Sequence, residues 1–195
     1  MARKTTASKL AVDKTKKRRV LKVASYNING INPRLRVLLR WLEEFQPDVV
    51  GLQELKCTAE AFPAKDLDAL GYSAIWHGEQ RWNGVAILSR VGEPVETGRG
   101  LPGDPEDGHS RYIEAAVCGI LIGNLYLPNG NPWPGPKFDY KLAWMDRLHA
   151  HARQLLDSGL PAMLSGDYNV IPTEQDVYKP ERWAKDALFT PEARK

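Results

Sequence analysis

The chain has 195 residues, 43% of them hydrophobic and 26% charged, which suits one sizeable globular domain and excludes wholesale disorder. It has no apolar run near the roughly 18 residues of a membrane span, no apolar signal stretch at its start, and only two cysteines (Cys57 and Cys118), so neither membrane insertion nor a disulfide framework is expected, and the setting expected is cytoplasmic. The net charge of +3 hides an asymmetry: residues 1–20 carry +7 and the remainder −4.

Residues 1–20 read as a basic, disordered arm, either drawn to a polyphosphate or merely solubilising. Residues 21–195 read as one domain. LKVASYNI (21–28) predicts a strand that loses its pattern at Asn27. Pro33 suits a first helical turn, and Leu35, Leu38, Leu39, Leu42 and Phe45 follow at helical spacing until Pro47 stops the helix. DVVGLQ (48–53) predicts a strand covered on both faces. YSAIWH (72–77) and GVAILSR (84–90) predict two more. RYIEAAVC (111–118) and ILIGNLYL (120–127) predict a tight hairpin around Gly119. After a Pro/Gly/Asn loop at 128–136, a helix is expected over 137–157, with Phe138, Leu142, Met145, Leu148, Ala152 and Leu155 on its buried side. AMLSGDYN (162–169) is a last strand, and the remainder shows turn signals and at most a short helix.

This order argues for an α/β fold with a mixed sheet. Asn27, Glu54, Tyr126, Asp167 and Asn169 each fall at the end of an apolar strand run, where open α/β sheets collect ligands. Two carboxylates and two amides are hard oxygen donors suited to Mg²⁺. Such an ion can neutralise charge on a phosphoryl oxygen and activate a water, for which a nearby carboxylate can serve as base. The spacing of Asp167 and Asn169 would put both side chains on one side of an extended strand end. Tyr126 could give its hydroxyl to a phosphate oxygen, its pKa lowered by a nearby cation. The same residues have plainer readings: a solvated Glu54, Asx turns at Asn27 and Asp167, and a half-buried Tyr126. The histidines read as surface or packing residues.

Taken as a set, LKVASYNING, QPDVVGLQELK, GVAILSR, NLYLPNG and SGDYN, in this order, closely resemble the exodeoxyribonuclease III family of abasic-site endonucleases, within the endonuclease/exonuclease/phosphatase superfamily. WHGEQRWNGVAI, GHSRYIEA and KFDYKLAWMDRL are similar to that family too. The resemblance implies a four-layered α/β sandwich, with two facing mixed sheets and helices outside. It implies a metal site (Mg²⁺, with Mn²⁺ as a substitute) at Asn27, Glu54, Asp167 and Asn169, with Glu54 the principal ligand. It also implies Tyr126 near the scissile phosphate, Asp167 as the base for water and Asn169 as its support. Arg111, Asn129, Asn131 and Trp133 would grip DNA. The implied activity is DNA repair: cutting duplex DNA 5′ to abasic sites and removing nucleotides from 3′ ends, by a monomer.

Members of that family continue beyond the point matching FTPEARK, with a further catalytic Asp and a closing Ser-Asp-His signature. The second sheet is therefore expected to be incomplete and the activity weakened or lost. Two other readings stay open. One is a phosphoesterase of the same superfamily on another substrate; the other is a catalytically dead DNA- or metal-binding remnant, held on DNA by its basic arm.

Overall fold

The computed structural model describes residues 20–194, so the expected arm lies, apart from Val20, outside the described residues. Strand β1 (Val23–Asn27) and strand β2 (Val49–Gln53) run parallel, joined by helix α1 (Ile31–Phe45) as the opening pattern predicts. β2 is buried along its whole length, as its apolar run requires. α1 begins at Ile31, two residues before Pro33, and buries Ile31, Leu38 and Leu42. Phe45, expected inside, is half-exposed: it closes the last turn and rests on Trp41 instead. Gln46 then takes a left-handed conformation and donates its N–H to Leu42, which ends the helix before Pro47.

A short helix α2 (Ala64–Ala69) precedes strands β3 (Ser73–His77), β4 (Val85–Ser89) and β5 (Val95–Arg99). α2 and β5 go beyond the sequence reading. α2 buries only Leu67, and β5 is mostly exposed and interrupted by a bulge at Glu96/Gly98, so neither shows apolar periodicity. Strands β6 (Tyr112–Val117) and β7 (Ile120–Tyr126) form the expected hairpin. Cys118 and Gly119 both have positive φ at its turn, the backbone that two-residue hairpins favour. Helix α3 (Pro136–Asp157) leads to β8 (Ala162–Asp167), and two single 3₁₀ turns follow, Glu174–Asp176 and Pro180–Arg182.

The strands form two mixed four-stranded sheets, ordered β1-β2-β4-β3 and β5-β6-β7-β8. Val49, Val85 and Ile87 of the first sheet pack on Ile113, Ala115, Val117 and Ile122 of the second. α1 and α2 cover the outer face of the first sheet, and α3 that of the second, giving four layers. The buried face of α3 is Phe138, Lys141, Trp144, Leu148 and Leu155. Lys141 and Trp144 are thus the most deeply buried there, while Leu142 and Met145, expected inside, are half-buried against the core. A polar pair pins the sheets together: buried Asn124 donates to the carbonyls of Leu52 and Ala86 at 2.8 Å and accepts from Gln53 at 2.6 Å. Within each parallel pair, β1/β2 and β7/β8, the strands end together, and hydrogen bonds from Asn27 to Asp167 and from Tyr126 to Glu54 join the two pairs of ends at one rim. β1 and β8 are the outer strands on that side, and among the described residues neither has a further strand partner. Also among the described residues, no helix is long and apolar enough to cross a membrane.

Candidate active site

At the end of β1, Asn27 turns its amide toward two carboxylates. Its Nδ2 donates to Glu54 at 2.9 Å and to Asp167 at 2.8 Å, while its Oδ1 accepts the Asn29 N–H at 3.1 Å. Glu54 follows β2 directly and has φ 55°, a conformation that costs a bulky residue on the order of 1 kcal/mol. That backbone bend aims its carboxylate across the rim. Glu54 also accepts from the Tyr126 hydroxyl at 3.0 Å and pairs with Lys56 at 2.7 Å. Burial raises the Glu54 carboxyl, but Asn27, Lys56 and Tyr126 outweigh it and hold it below 4.5.

Tyr126 ends β7 opposite Asp167 at the end of β8. Gly166 is what lets the two strands come together there. Its φ is +145°, and a Cβ would lie 2.0 Å from the Leu125 carbonyl oxygen. The Tyr126 phenol is pushed up, although the cation beside it acts in the expected downward direction. Burial raises it first and the Glu54 carboxylate adds to that, over the opposing guanidinium of Arg111. The phenol is therefore a neutral donor. Arg111 sits 5.0 Å over the Tyr126 ring and donates to the Tyr126 carbonyl at 3.3 Å. Its Nε is buried without a partner.

β8 stops at Asp167, and Asn169 takes φ 45°, so the two side chains do not share an extended strand. They form a turn instead, in which the Asn169 N–H donates to Asp167 Oδ1 at 2.9 Å. The Asn169 amide reaches the Leu127 carbonyl at 2.8 Å and accepts from Asn129 at 3.4 Å. Asn129 and Asn131 both line a groove of about 470 Å³ that opens over Glu54 and Tyr126. Asn131 is braced from behind, donating to Asp186 at 3.0 Å and accepting the Ala187 N–H at 3.1 Å. Trp133 is not among the residues lining the groove; it packs edge-on against Phe138, with centroids 6.2 Å apart.

The groove also draws in residues that the sequence reading did not single out. Lys56, Trp82, Asn83, His109, Lys137 and Tyr140 all line it. Their only signal was membership of the family-like stretches, since lysine, histidine and asparagine in loops read as solvated surface. Trp82 is 68% exposed at the groove's mouth.

Among the described residues, no group of three or more His, Cys, Asp and Glu side chains gathers as a metal cage. The acidic donors number two, and one amide bridges them. That donor set fits a hard divalent cation that keeps several waters and completes its shell from a phosphate. Glu54, joined to Asp167 through Asn27, lines the groove together with Lys56, Arg111 and Lys137, an arrangement matched to a phosphodiester.

The model of the endonuclease/exonuclease/phosphatase family matches residues 24–193. Exodeoxyribonuclease III of Haemophilus influenzae is 35% identical, over 89% of this chain and 69% of its own length. Among solved structures, an AP endonuclease from Archaeoglobus fulgidus superposes with a TM-score of 0.84 at 36% identity, over 90% of this chain and 67% of that one. The 3′ phosphatase NExo from Neisseria, bound to a product DNA hairpin, does so with 0.84 at 34%, over 90% and 68%. The chain belongs to the endonuclease/exonuclease/phosphatase family, among its exodeoxyribonuclease III-type hydrolases.

Proposed function

We propose that this chain hydrolyses phosphodiesters of duplex DNA with a divalent metal, cutting 5′ to abasic sites and removing nucleotides from 3′ ends. The observation that carries the reading is the Asn27 amide joining the Glu54 and Asp167 carboxylates beside Tyr126, at a groove lined by cationic residues. The chain spans about two thirds of the length of the relatives named above, and what their names say of DNA comes to it as part of this proposal.

Glu54 and Asp167 would hold Mg²⁺ or Mn²⁺, with the amides of Asn27 and Asn169 beside it. When bound, the cation supplies Lewis-acid neutralisation of charge on the phosphoryl oxygens. Asp167 takes the proton of the attacking water as its oxygen bonds to phosphorus and the bond to the leaving oxygen breaks. The Asn169 N–H on Asp167 Oδ1 and the Asn27 amide on Oδ2 fix the carboxylate's orientation, and each oxygen keeps a lone pair that could take that proton. Tyr126, a neutral donor, steadies Glu54 and would turn its hydroxyl hydrogen to a phosphate oxygen when DNA is bound. Arg111 lines the groove and would meet the DNA backbone, with Asn129 and Asn131 as the wall beside it; Trp133 stands outside that lining, against Phe138. The chain acts as a monomer. Two free cysteines, one exposed, fit a reducing compartment such as the cytoplasm.

The test is a duplex with one abasic site, incubated with Mg²⁺. A single cut 5′ to the lesion is expected, reduced roughly 10³-fold or more in Asp167→Ala. Cleavage that survives the substitution removes Asp167 as the base. Binding without cleavage, falling steeply with salt, replaces the nuclease reading with a binding-only one. Turnover of a small phosphoester in place of the duplex replaces its substrate.

A further inference from the structure

Lys141 has no exposed surface, although it is a cation on a helix face otherwise built of Phe138, Trp144, Leu148 and Leu155. An ammonium has three N–H donors. Here all three go to backbone carbonyls: Asn169 at 2.7 Å, Ala187 at 3.1 Å and Asn129 at 3.2 Å. The three acceptors belong to three separate loops, those after β7, after β8 and near the end of the described chain. Two of the loops carry residues of the candidate active site. Asn129 reaches across to Asn169, and the Asn169 N–H holds Asp167. The third loop carries Asp186 and Ala187, which brace Asn131.

The stem of Lys141 is as closely fitted as its tip. Gly130 has φ +90°, and a Cβ there would come 2.8 Å from Lys141 Cδ and 3.1 Å from the Ala187 Cβ. So the loop after β7 is laid directly on the lysine. Burying an ammonium is unfavourable, and an apolar side chain of similar length would fill the same space more easily. What an apolar side chain cannot do is hold three loop carbonyls to one point.

We infer that Lys141 is a positioning residue, whose ammonium ties the loops of Asn129, Asn169 and Ala187 into the arrangement that aims Asp167 and the groove wall. The inference rests on the nuclease reading above for what is positioned, and on the three hydrogen bonds alone for the tie. Lys141 touches no substrate; it acts through the backbone of its neighbours.

The experiment compares the full chain with Lys141→Met, Lys141→Arg and Gly130→Ala, well below the melting transition of each. Amide hydrogen exchange reads the tie. In Lys141→Met the hydrogen-bonded amides of Asn131, Asn169, Ile171 and Ala187 are expected to exchange faster together, while β2 and β4 keep their protection. Cleavage of the abasic duplex reads the positioning. There kcat is expected to fall roughly 10²-fold, the scale of a small misplacement, with KM changed less than about threefold. Lys141→Arg keeps the charge and the donors and is expected to recover part of the loss. Gly130→Ala keeps the lysine but displaces its stem, and is expected to loosen the same amides.

A merely structural lysine would lower the melting point and leave kcat of the folded enzyme and the arginine rescue without effect, which overturns the inference. Uniform loosening of loops and sheets overturns it too. If the unsubstituted chain cleaves no duplex, the nuclease reading falls by itself. Exchange then still decides the tie, and affinity for the same duplex in Ca²⁺ decides the positioning. Loosening confined to the three loops, with weaker binding, supports Lys141; unchanged exchange or unchanged binding overturns it.

Discussion

The molecule contains the same chemical pairing twice, a tyrosine hydroxyl on a glutamate, in two very different surroundings. At the rim Tyr126 donates to Glu54 at 3.0 Å; under α3 Tyr112 donates to Glu114 at 2.7 Å. Glu114 is further bound by Thr97 at 2.8 Å and by His151 at 2.9 Å, so β5, β6 and α3 all close on it. Its side chain is 8% exposed, against 18% for Glu54. The sealed network has local partners for its polar groups and opens onto nothing. The rim network faces a groove, carries a left-handed backbone at Glu54, and stands near an Arg111 nitrogen without a partner. Composition does not separate a structural network from a reactive one. Access and incomplete satisfaction do.

Matched substitutions in the two glutamates break that comparison most directly. Glu54→Gln keeps the shape and most of the hydrogen bonds but removes the charge that would hold the cation. Its cleavage rate is expected to fall roughly 10³-fold, because members of a catalytic set act as a unit. Its stability is expected to change by less than about 1 kcal/mol, since the Lys56 pair is partly exposed. Steady-state kinetics beside denaturant unfolding measures both. Equal loss of stability in Glu54→Gln and in its buried counterpart would erase the distinction.

Glu114→Gln is expected to show the reverse. An amide in that pocket cannot accept from Tyr112, Thr97 and His151 as a carboxylate does, and buried groups lose partners. The expected loss is about 3 kcal/mol of stability, with kcat of the folded fraction unchanged. A kcat that falls with it would make the sealed network part of the active site.

Acid separates the networks more finely. Burial raises the Glu114 carboxyl, but Tyr112, Thr97 and His151 hold it below 4.5; burial raises Asp107, but Arg147, Tyr140 and the His109 N–H hold it below 3.8. Groups with depressed folded-state values contribute stability above their unfolded values, and lose it as pH falls through the folded ones. Unfolding free energy is therefore expected to hold down to about pH 4.5 and then decline. Glu114→Gln is expected to flatten that decline more than Glu54→Gln. An identical slope in both variants would show that the two carboxylates gain equally from folding.

Much of the rim was legible because its residues stand where apolar strand runs stop. Asn27, Glu54, Tyr126 and Asp167 each interrupt a β pattern, and parallel pairing brings such ends together. The hairpin and the covered strand β2 were legible from the same alternation. What sequence could not carry was direction and environment. A lysine at helix position 141 reads as solvated, and only the loops that fold over it make it the innermost cation. Trp133 sits among DNA-facing residues in sequence, yet Phe138 offers it an apolar neighbour and it turns there. The Asp167–Asn169 spacing suggested an extended end because the left-handed turn at Asn169 leaves no trace in residue order. His151 reads as a packing residue, and it packs, but its partner glutamate lies 37 positions away.

The smallest expected effect probes how far the sealed network extends toward solvent. Thr97 stands on β5, an exposed edge strand with a bulge, and gives its hydroxyl to Glu114 Oε1. Thr97→Val keeps the β-branched shape and removes that donor alone. A hydrogen bond to a charged group in a buried site is worth about 1.5–3 kcal/mol, and an edge that water can reach lowers this to about 1 kcal/mol. Water then replaces the hydroxyl at Oε1, while Tyr112 and His151 keep Oε2. Denaturant unfolding should register that small loss with no change in cleavage. A loss as large as that of Glu114→Gln would mean that the threonine, and not the helix above it, seals the glutamate from water.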